Sequence, residues 1–233
     1  MSPRLSLVVP CHNEAGNIEA LARDSVGVLE ATGQPFEIIL VDDGSTDGTG
    51  SEIARACQRW PACRALSLVS RVGQAGALLE GLRSARGERL LTMDGDGQND
   101  PRDFPALLER VDAGHLDLAC GWRVSRSDSW LRRWMSRIAN RVRRWVLADG
   151  VHDAGCQLRV MRREVMGALR PVELLQAFIP ALAAAAGFRV GELPVRHHPR
   201  LHGRSKYGLG YLSWRPAVAM LRLRRELKGT TAA

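Results

Sequence analysis

No apolar run in this chain approaches the roughly 20 residues needed to cross a bilayer. The nearest candidate, Leu174 to Phe188, is short and alanine-rich, and reads as a buried helix. Met1-Ser2-Pro3-Arg4 runs straight into a strand-like segment, so no secretory leader is expected and the chain reads as soluble or peripheral. Cysteine is scarce and unpaired. Cys11, Cys57, Cys63, Cys120 and Cys156 are odd in number and form no C-x-x-C, which argues against a disulfide scaffold and for reduced core residues in a cytosolic protein. Aromatic residues are only 5% and none interleaves with base-reading side chains, which argues against nucleic-acid binding. Both the Gly-rich dinucleotide fingerprint G-x-G-x-x-G and the P-loop are missing, so a dinucleotide-dependent dehydrogenase and a P-loop kinase are disfavoured. Lysine is confined to Lys206 and Lys228; codon bias accounts for arginine in place of lysine, but not for where the charge lies.

That charge is segregated. Residues 1–118 carry 11 basic and 18 acidic side chains, whereas residues 119–233 carry 22 and 7. An acidic half suits a metal ion; a basic half suits phosphates, an anionic bilayer or nucleic acid. With 233 residues, 45% of them apolar, there is enough chain for one sizeable α/β domain.

Leu5 to Val9, Phe36 to Val41, Arg64 to Val69, Leu90 to Met93 and Leu116 to Cys120 read as short buried strands bounded by Gly, Pro, Asn or Asp. Helix-length segments separate them: Ala15 to Ala31, Gly48 to Trp60, Gln74 to Arg86 and Pro101 to Ala113, the last opened by the cap-and-proline pair Asp100-Pro101. The alternation predicts a single domain with a mainly parallel sheet covered by helices on both faces. Ligands of such sheets bind beyond the carboxyl ends of the strands, where Asp42-Asp43 and Asp94-Gly95-Asp96 fall.

Asp94, Asp96 and Gln98 follow the apolar run 90–93 at alternate positions, so continuation of the strand would send three oxygen donors to one point. Such donors suit Mg2+ or Mn2+, whose shell is completed by water and substrate phosphates. The same D-x-D pattern also fits a solvated turn. Further along, Trp130, Trp134, Ile138, Val142 and Trp145 recur at helical spacing among six arginines. This basic amphipathic helix, 130–147, either packs on the core or lies at a membrane interface.

The succession VVPCHNE, VDDGSTDGT, RVGQAGALLEGLRSARG, MDGDGQNDP, HDAGCQLRVMRREV and RLHGRSKYG resembles the family 2 inverting glycosyltransferases, in particular the dolichyl- or polyprenyl-phosphate mannosyl- and glucosyltransferase branch. The resemblance spans roughly residues 4 to 210. It implies a GT-A domain over 1–210, a GDP- or UDP-linked sugar donor, a divalent metal and a polyprenyl phosphate acceptor at the cytoplasmic membrane face. Residues 211–233 then form a basic amphipathic tail without the transmembrane helices that such relatives often carry, which leaves room for a membrane-spanning partner protein.

By position, the resemblance gives Asp94, Asp96 and Gln98 to the metal, and Pro10, His12, Glu14, Asp42 and Asp43 to the nucleoside. Arg200, Ser205 and Lys206 match a block expected near the donor phosphates; Arg123, Arg132 and Ser136 match acceptor-phosphate positions. Asp96, Asp153, Arg123 and Lys206 carry the catalytic expectation, and Asp153 with Arg159 matches a D-x-x-x-x-x-R block; Asp153 is open between base, metal-shell member and orienter of arginine. His12 replaces an aromatic, Gln74 a common His, Trp122 a Ser, and Gln157-Leu158 a Gly-Phe or Ser-Phe pair, departures that bear on donor selectivity. Given a lipid acceptor, the Trp/Arg helix reads as a contact with an anionic membrane surface, each basic residue there contributing roughly 1 kcal/mol. Two other readings compete: a GT-A enzyme acting on a saccharide hydroxyl, and a non-catalytic basic module that binds membrane.

Overall fold

The computed structural model of the protein describes residues 2–124, 141–199 and 215–230. Its first half alternates strand and helix: β1 (Leu5–Cys11), α1 (Ala15–Glu30), β2 (Phe36–Asp42), α2 (Thr49–Arg59), β3 (Cys63–Ser67), α3 (Gly73–Ser84), β4 (Arg89–Thr92), a 3-10 turn (Pro101–Asp103), α4 (Phe104–Asp112) and β5 (Leu118–Arg123). The second half adds helical residues 141–147 (α5), β6 (Arg159–Arg162), a 3-10 segment (Arg163–Ala168), α6 (Leu175–Ala185), β7 (Val190–Val195) and α7 (Arg215–Thr230).

Among the described residues seven strands form one sheet in the order β3-β2-β1-β4-β6-β5-β7. Strands β1 to β4 run parallel, β6 is antiparallel to both of its neighbours, and β7 runs parallel to β5. Alternation divides the strand side chains between the two faces. Leu5, Leu7 and Val9 of β1, with Ile38 and Leu40 of β2, pack against Ile18 and Leu21 of α1, Ile53 of α2 and Phe104 and Leu107 of α4. Val8, Ile39 and Val41 face the other way, onto Leu78 and Leu82 of α3 and Phe178, Ile179 and Leu182 of α6. Burial on both faces explains why these strands are almost continuously apolar.

The expected helix in 174–188 is α6, and it is buried as anticipated. For the amphipathic helix 130–147 only residues 141–147 are described. There Val142 and Trp145, at 45% and 78% exposure, face outward, while Val146 and Leu147 are buried and Arg143 is ion-paired with Asp149. The Val142–Trp145 face is thus not the one that packs on the core. Arg224 of α7 lies 5.9 Å over the Trp145 ring, and α7 buries Ala219, Met220 and Leu223 in the same core as α6. No helix among the described residues is long and apolar enough to cross a membrane.

Candidate active site

The carboxyl ends of β1, β2 and β4 open side by side, and the loops after them are braced to one another. Asn13, in the left-handed region at φ 54°, donates its backbone N–H to Ser45 Oγ and accepts from the Thr46 nitrogen through Oδ1. Asparagine tolerates that backbone because its short side chain bonds locally. The Glu14 nitrogen donates to Thr49 Oγ1 at 2.8 Å, which ties the start of α1 to the start of α2. Asp43 is buried, and its carboxylate accepts the backbone N–H groups of Val72 and Gly73 ahead of α3. Those amides stand at the start of α3, so the Asp43 carboxylate ties the loop after β2 to that helix. At Gly44, φ is +61° and a Cβ would lie 2.7 Å from the Arg71 nitrogen, so only glycine lets the loops approach this closely.

A pocket of about 550 Å³ occupies this mouth. Pro10, His12, Glu14 and Asp43 wall one side, Arg71 to Gly76 another, Asp94 to Asp96 the floor and Pro171 to Gln176 the far side. Of the side chains expected at the donor, Pro10, His12, Glu14, Asp43, Asp94 and Asp96 are therefore brought together. Asp42 and Gln98 are not among those that wall the pocket; Asp42 Oδ1 accepts from the Ser45 nitrogen. Strand β4 ends at Thr92 and the chain turns at Gly97, φ +72°, so strand alternation does not extend to Gln98. Its nitrogen donates to Asp96 Oδ1 at 3.1 Å and its side-chain Nε2 to the His198 carbonyl at 3.4 Å.

Asp94 is flanked by opposing influences. Burial and the Asp96 carboxylate push its carboxyl up to about 7, against the pull of Arg123, a 2.6 Å hydrogen bond from Gln74 Nε2 and the charge of Arg159. Two carboxylates crowded at the floor of a pocket are a donor set that fits a divalent cation, whose charge offsets the repulsion between them. Among the described residues no group of three or more His, Cys, Asp or Glu converges on one point. The arrangement suits a cation held by one or two carboxylates and otherwise by water and phosphate oxygens.

Behind Asp94 lie two arginines, Arg123 partly exposed and Arg159 fully buried. Arg123, at the end of β5, makes a bidentate pair with Asp153 at 2.7 and 2.9 Å. Despite burial, that carboxylate holds the guanidinium above its usual value. Glu192 of β7 in turn accepts the backbone nitrogens of His152 and Asp153 at 2.6 and 2.8 Å, which fixes the turn bearing Asp153. Arg159 of β6 is fully buried and donates to Gln157 Oε1 and the Ala154 carbonyl. Arg132, Ser136, Arg200, Ser205 and Lys206 lie outside the described residues.

The residues just before 200 are anchored to the segment that follows the aspartates. His198 Nε2 meets Asp100 Oδ2 at 3.0 Å, Arg196 donates its nitrogen to Asp103 Oδ2 at 2.7 Å, and Asn99 bridges to His197. Against the upward push of burial, hydrogen bonds from Arg102 and His198 hold the Asp100 carboxyl well below the usual aspartate range. Its stabilising contribution is therefore complete above about pH 5 and declines as acid protonates it below the ordinary aspartate value near 4. Asp100→Asn is expected to lower the thermal midpoint at pH 7, with the gap to the parent protein closing as the pH falls from about 5 toward about 2. A gap of constant size across that range would reject the assignment.

Sequence reasoning did not anticipate the wall 171–176. Its signal is faint: Leu174 sits in the left-handed region at φ 61°, ahead of a helix recognised only as buried. Gln176 on that wall donates to Gln74 Oε1 at 3.3 Å.

Residues 6–170 match the sequence profile described as Glycosyl transferase family 2. Over 207 residues the chain is 36% identical to the undecaprenyl-phosphate 4-deoxy-4-formamido-L-arabinose transferase of Edwardsiella ictaluri, covering 88% of this chain and 63% of that protein. Over 212 residues it is 38% identical to the dodecaprenyl-phosphate galacturonate synthase of Rhizobium johnstonii, covering 89% and 63%. The chain thus spans a little under two thirds of the length of these relatives. Among solved structures, the glucosyl-3-phosphoglycerate synthase of Mycobacterium tuberculosis in complex with phosphoglyceric acid superposes with a TM-score of 0.72 at 21% identity, over 94% of this chain and 79% of that one. A mannosyltransferase of Pyrobaculum calidifontis in complex with GDP-Man and Mn2+ gives 0.62 at 23%, over 92% and 60%. At such identities the structural likeness speaks for the fold.

Proposed function

The chain belongs to glycosyl transferase family 2 and has the GT-A fold, and from that premise we propose that it moves a sugar from a nucleotide diphosphate donor to a polyprenyl phosphate. The observation that carries this reading is the pocket at the sheet's mouth, floored by Asp94 and Asp96, in a chain whose relatives are named for undecaprenyl and dodecaprenyl phosphate. Pro10, His12, Glu14, Asp42 and Asp43 would contact or brace the nucleoside side, because carboxylates suit hydroxyls and ring N–H groups and repel phosphates. Asp94 and Asp96, with Gln98 nearby, would hold Mg2+ or Mn2+, which when bound supplies positive charge to the donor diphosphate. Lys206 and Arg200 would add to that charge as the leaving group departs.

The acceptor is a phosphomonoester with a second pKa near 6, so at neutral pH it is already largely dianionic. One of its oxygens attacks the anomeric carbon as the bond to the diphosphate breaks, inverting that centre, and no strong general base is required. The protein's task is to bring two anions together. Arg123 has guanidinium donors beyond the two that Asp153 engages, and with Arg132 and Ser136 it would receive the acceptor phosphate through fork-shaped contacts. Asp153 acts in this reading as the orienter of Arg123, and Asp96 and Lys206 as the groups nearest the reacting diphosphate. The outward-facing Val142 and Trp145 with their arginines would meet an anionic surface at the cytoplasmic face, alone or beside a membrane-spanning partner.

The test is transfer of radiolabel from GDP- and UDP-linked sugars to polyprenyl phosphate presented in vesicles. The donors should include a formamido-arabinose and galacturonate, after the relatives' names, beside mannose and glucose. A lipid-extractable product, formed faster on anionic than on neutral vesicles, is expected. Label appearing only in water-soluble saccharide would favour the hydroxyl-acceptor reading, and no transfer or hydrolysis of any donor would favour the non-catalytic one.

A further inference from the structure

Gln74, in the first turn of α3, donates from Nε2 to Oδ1 of Asp94 at 2.6 Å. An ionised carboxylate only accepts, so it is the nitrogen end of the amide that faces it. The amide oxygen accordingly accepts from Nε2 of Gln176 at 3.3 Å. Gln176 belongs to α6, on the opposite wall of the pocket, and is buried. The direction of each hydrogen bond in the series Gln176–Gln74–Asp94 is thus set from the carboxylate outward, and the series joins two walls of the pocket to its floor.

We propose that Gln74 is a positioning residue for the cation site, holding the Asp94 carboxylate in one orientation beside Asp96, and that Gln176 acts through it. The proposal rests on the reading of Asp94 and Asp96 as the cation pair. Without a partner, an aspartate beside a second carboxylate turns away from it, because repulsion falls with distance. An N–H on Oδ1 opposes that rotation and stabilises the charged form. Removing partners that orient a metal-binding side chain in this way typically weakens metal affinity by about 10- to 100-fold.

The experiment measures Mn2+ affinity of the full chain by electron paramagnetic resonance of the free ion, in the presence of nucleoside diphosphate. Gln74→Leu is expected to weaken binding by about 10- to 100-fold with the fold retained, as read by circular dichroism of the metal-free protein. Gln176→Leu should weaken it less, and the double variant should be no weaker than Gln74→Leu alone, since a residue that acts through another adds nothing once that one is gone. Gln74→His, which retains an N–H donor, should recover most of the affinity. Binding by Gln74→Leu within about twofold of the parent, or a double variant whose loss is the product of the two single losses, would overturn the proposal. If the parent holds no Mn2+, or holds it equally well as Asp96→Asn, the cation reading fails and the proposal with it. Loss in Asp96→Asn but not in Gln74→Leu rejects the proposal alone.

Discussion

Asp96→Asn is expected to lower sugar transfer by at least about two orders of magnitude while leaving the thermal midpoint near that of the parent, and Asp94→Asn to do the same. The scale is that of removing one preorganised electrostatic contact from a site where charge develops in the transition state. Both aspartates reach the floor of the pocket from the turn after β4, so neither is needed to close the core. Burial and the Asp96 carboxylate push Asp94 up to about 7, and an uncharged amide in either position relieves part of that penalty, so the metal-free form of either variant is no less stable. Loss of activity without loss of fold is therefore the signature. Incubation with a chelator should abolish transfer, and readdition of Mg2+ or Mn2+ should restore it. Full turnover in chelator, or in either Asn variant, would remove the cation from the reaction.

The second large effect concerns stability. Arg123→Ala leaves the Asp153 carboxylate, whose side chain is 6% exposed, without the guanidinium that meets both of its oxygens. Breaking a buried pair by deleting one partner costs about 3–5 kcal/mol, because the remaining charge loses the counter-ion that met both of its oxygens in a site largely closed to water. For a domain of this size that corresponds to a fall in thermal midpoint on the order of 10 °C. Asp153→Ala should cost a similar amount, and Arg123→Met combined with Asp153→Leu should regain most of it, since apolar replacements of both partners leave no stranded charge. Calorimetry of the two single variants and the double one decides the matter. Additive losses in the double variant would mean that each residue is held by something other than its partner.

Much of the first half of the fold was legible in the sequence. β1, β2 and β4 are apolar on both faces, and their ends are marked by Pro10, Asp42 and Asp94, so the run of residue types gave both the strands and the mouth of the sheet. β6 and β7 were not seen. β6 begins and ends on arginine, and Arg159 is buried by contacts with Gln157 and the Ala154 carbonyl that local pattern does not reveal. β7 carries Gly191, Glu192 and Pro194 and is half exposed at the sheet's edge, where proline is tolerated and alternation is weak. Gln98 shows the opposite failure: its spacing from Asp94 and Asp96 is regular, but the strand ends before them and the chain turns.

The ordered motifs along the chain carry the family resemblance, and the alternation of residue types gives the mainly parallel sheet and the placing of Asp94 and Asp96 at its mouth, because strands buried on both faces and glycine-rich turns after them leave strong local signals. The tertiary structure decided what those aspartates touch. Gln74 and Gln176 are 102 residues apart, as Arg123 and Asp153 are 30, and each pair meets only because distant strands and helices bring its ends together. A hydrogen bond reaches about 3 Å, far less than the chain between such partners, so the pairing is a property of packing and not of local sequence.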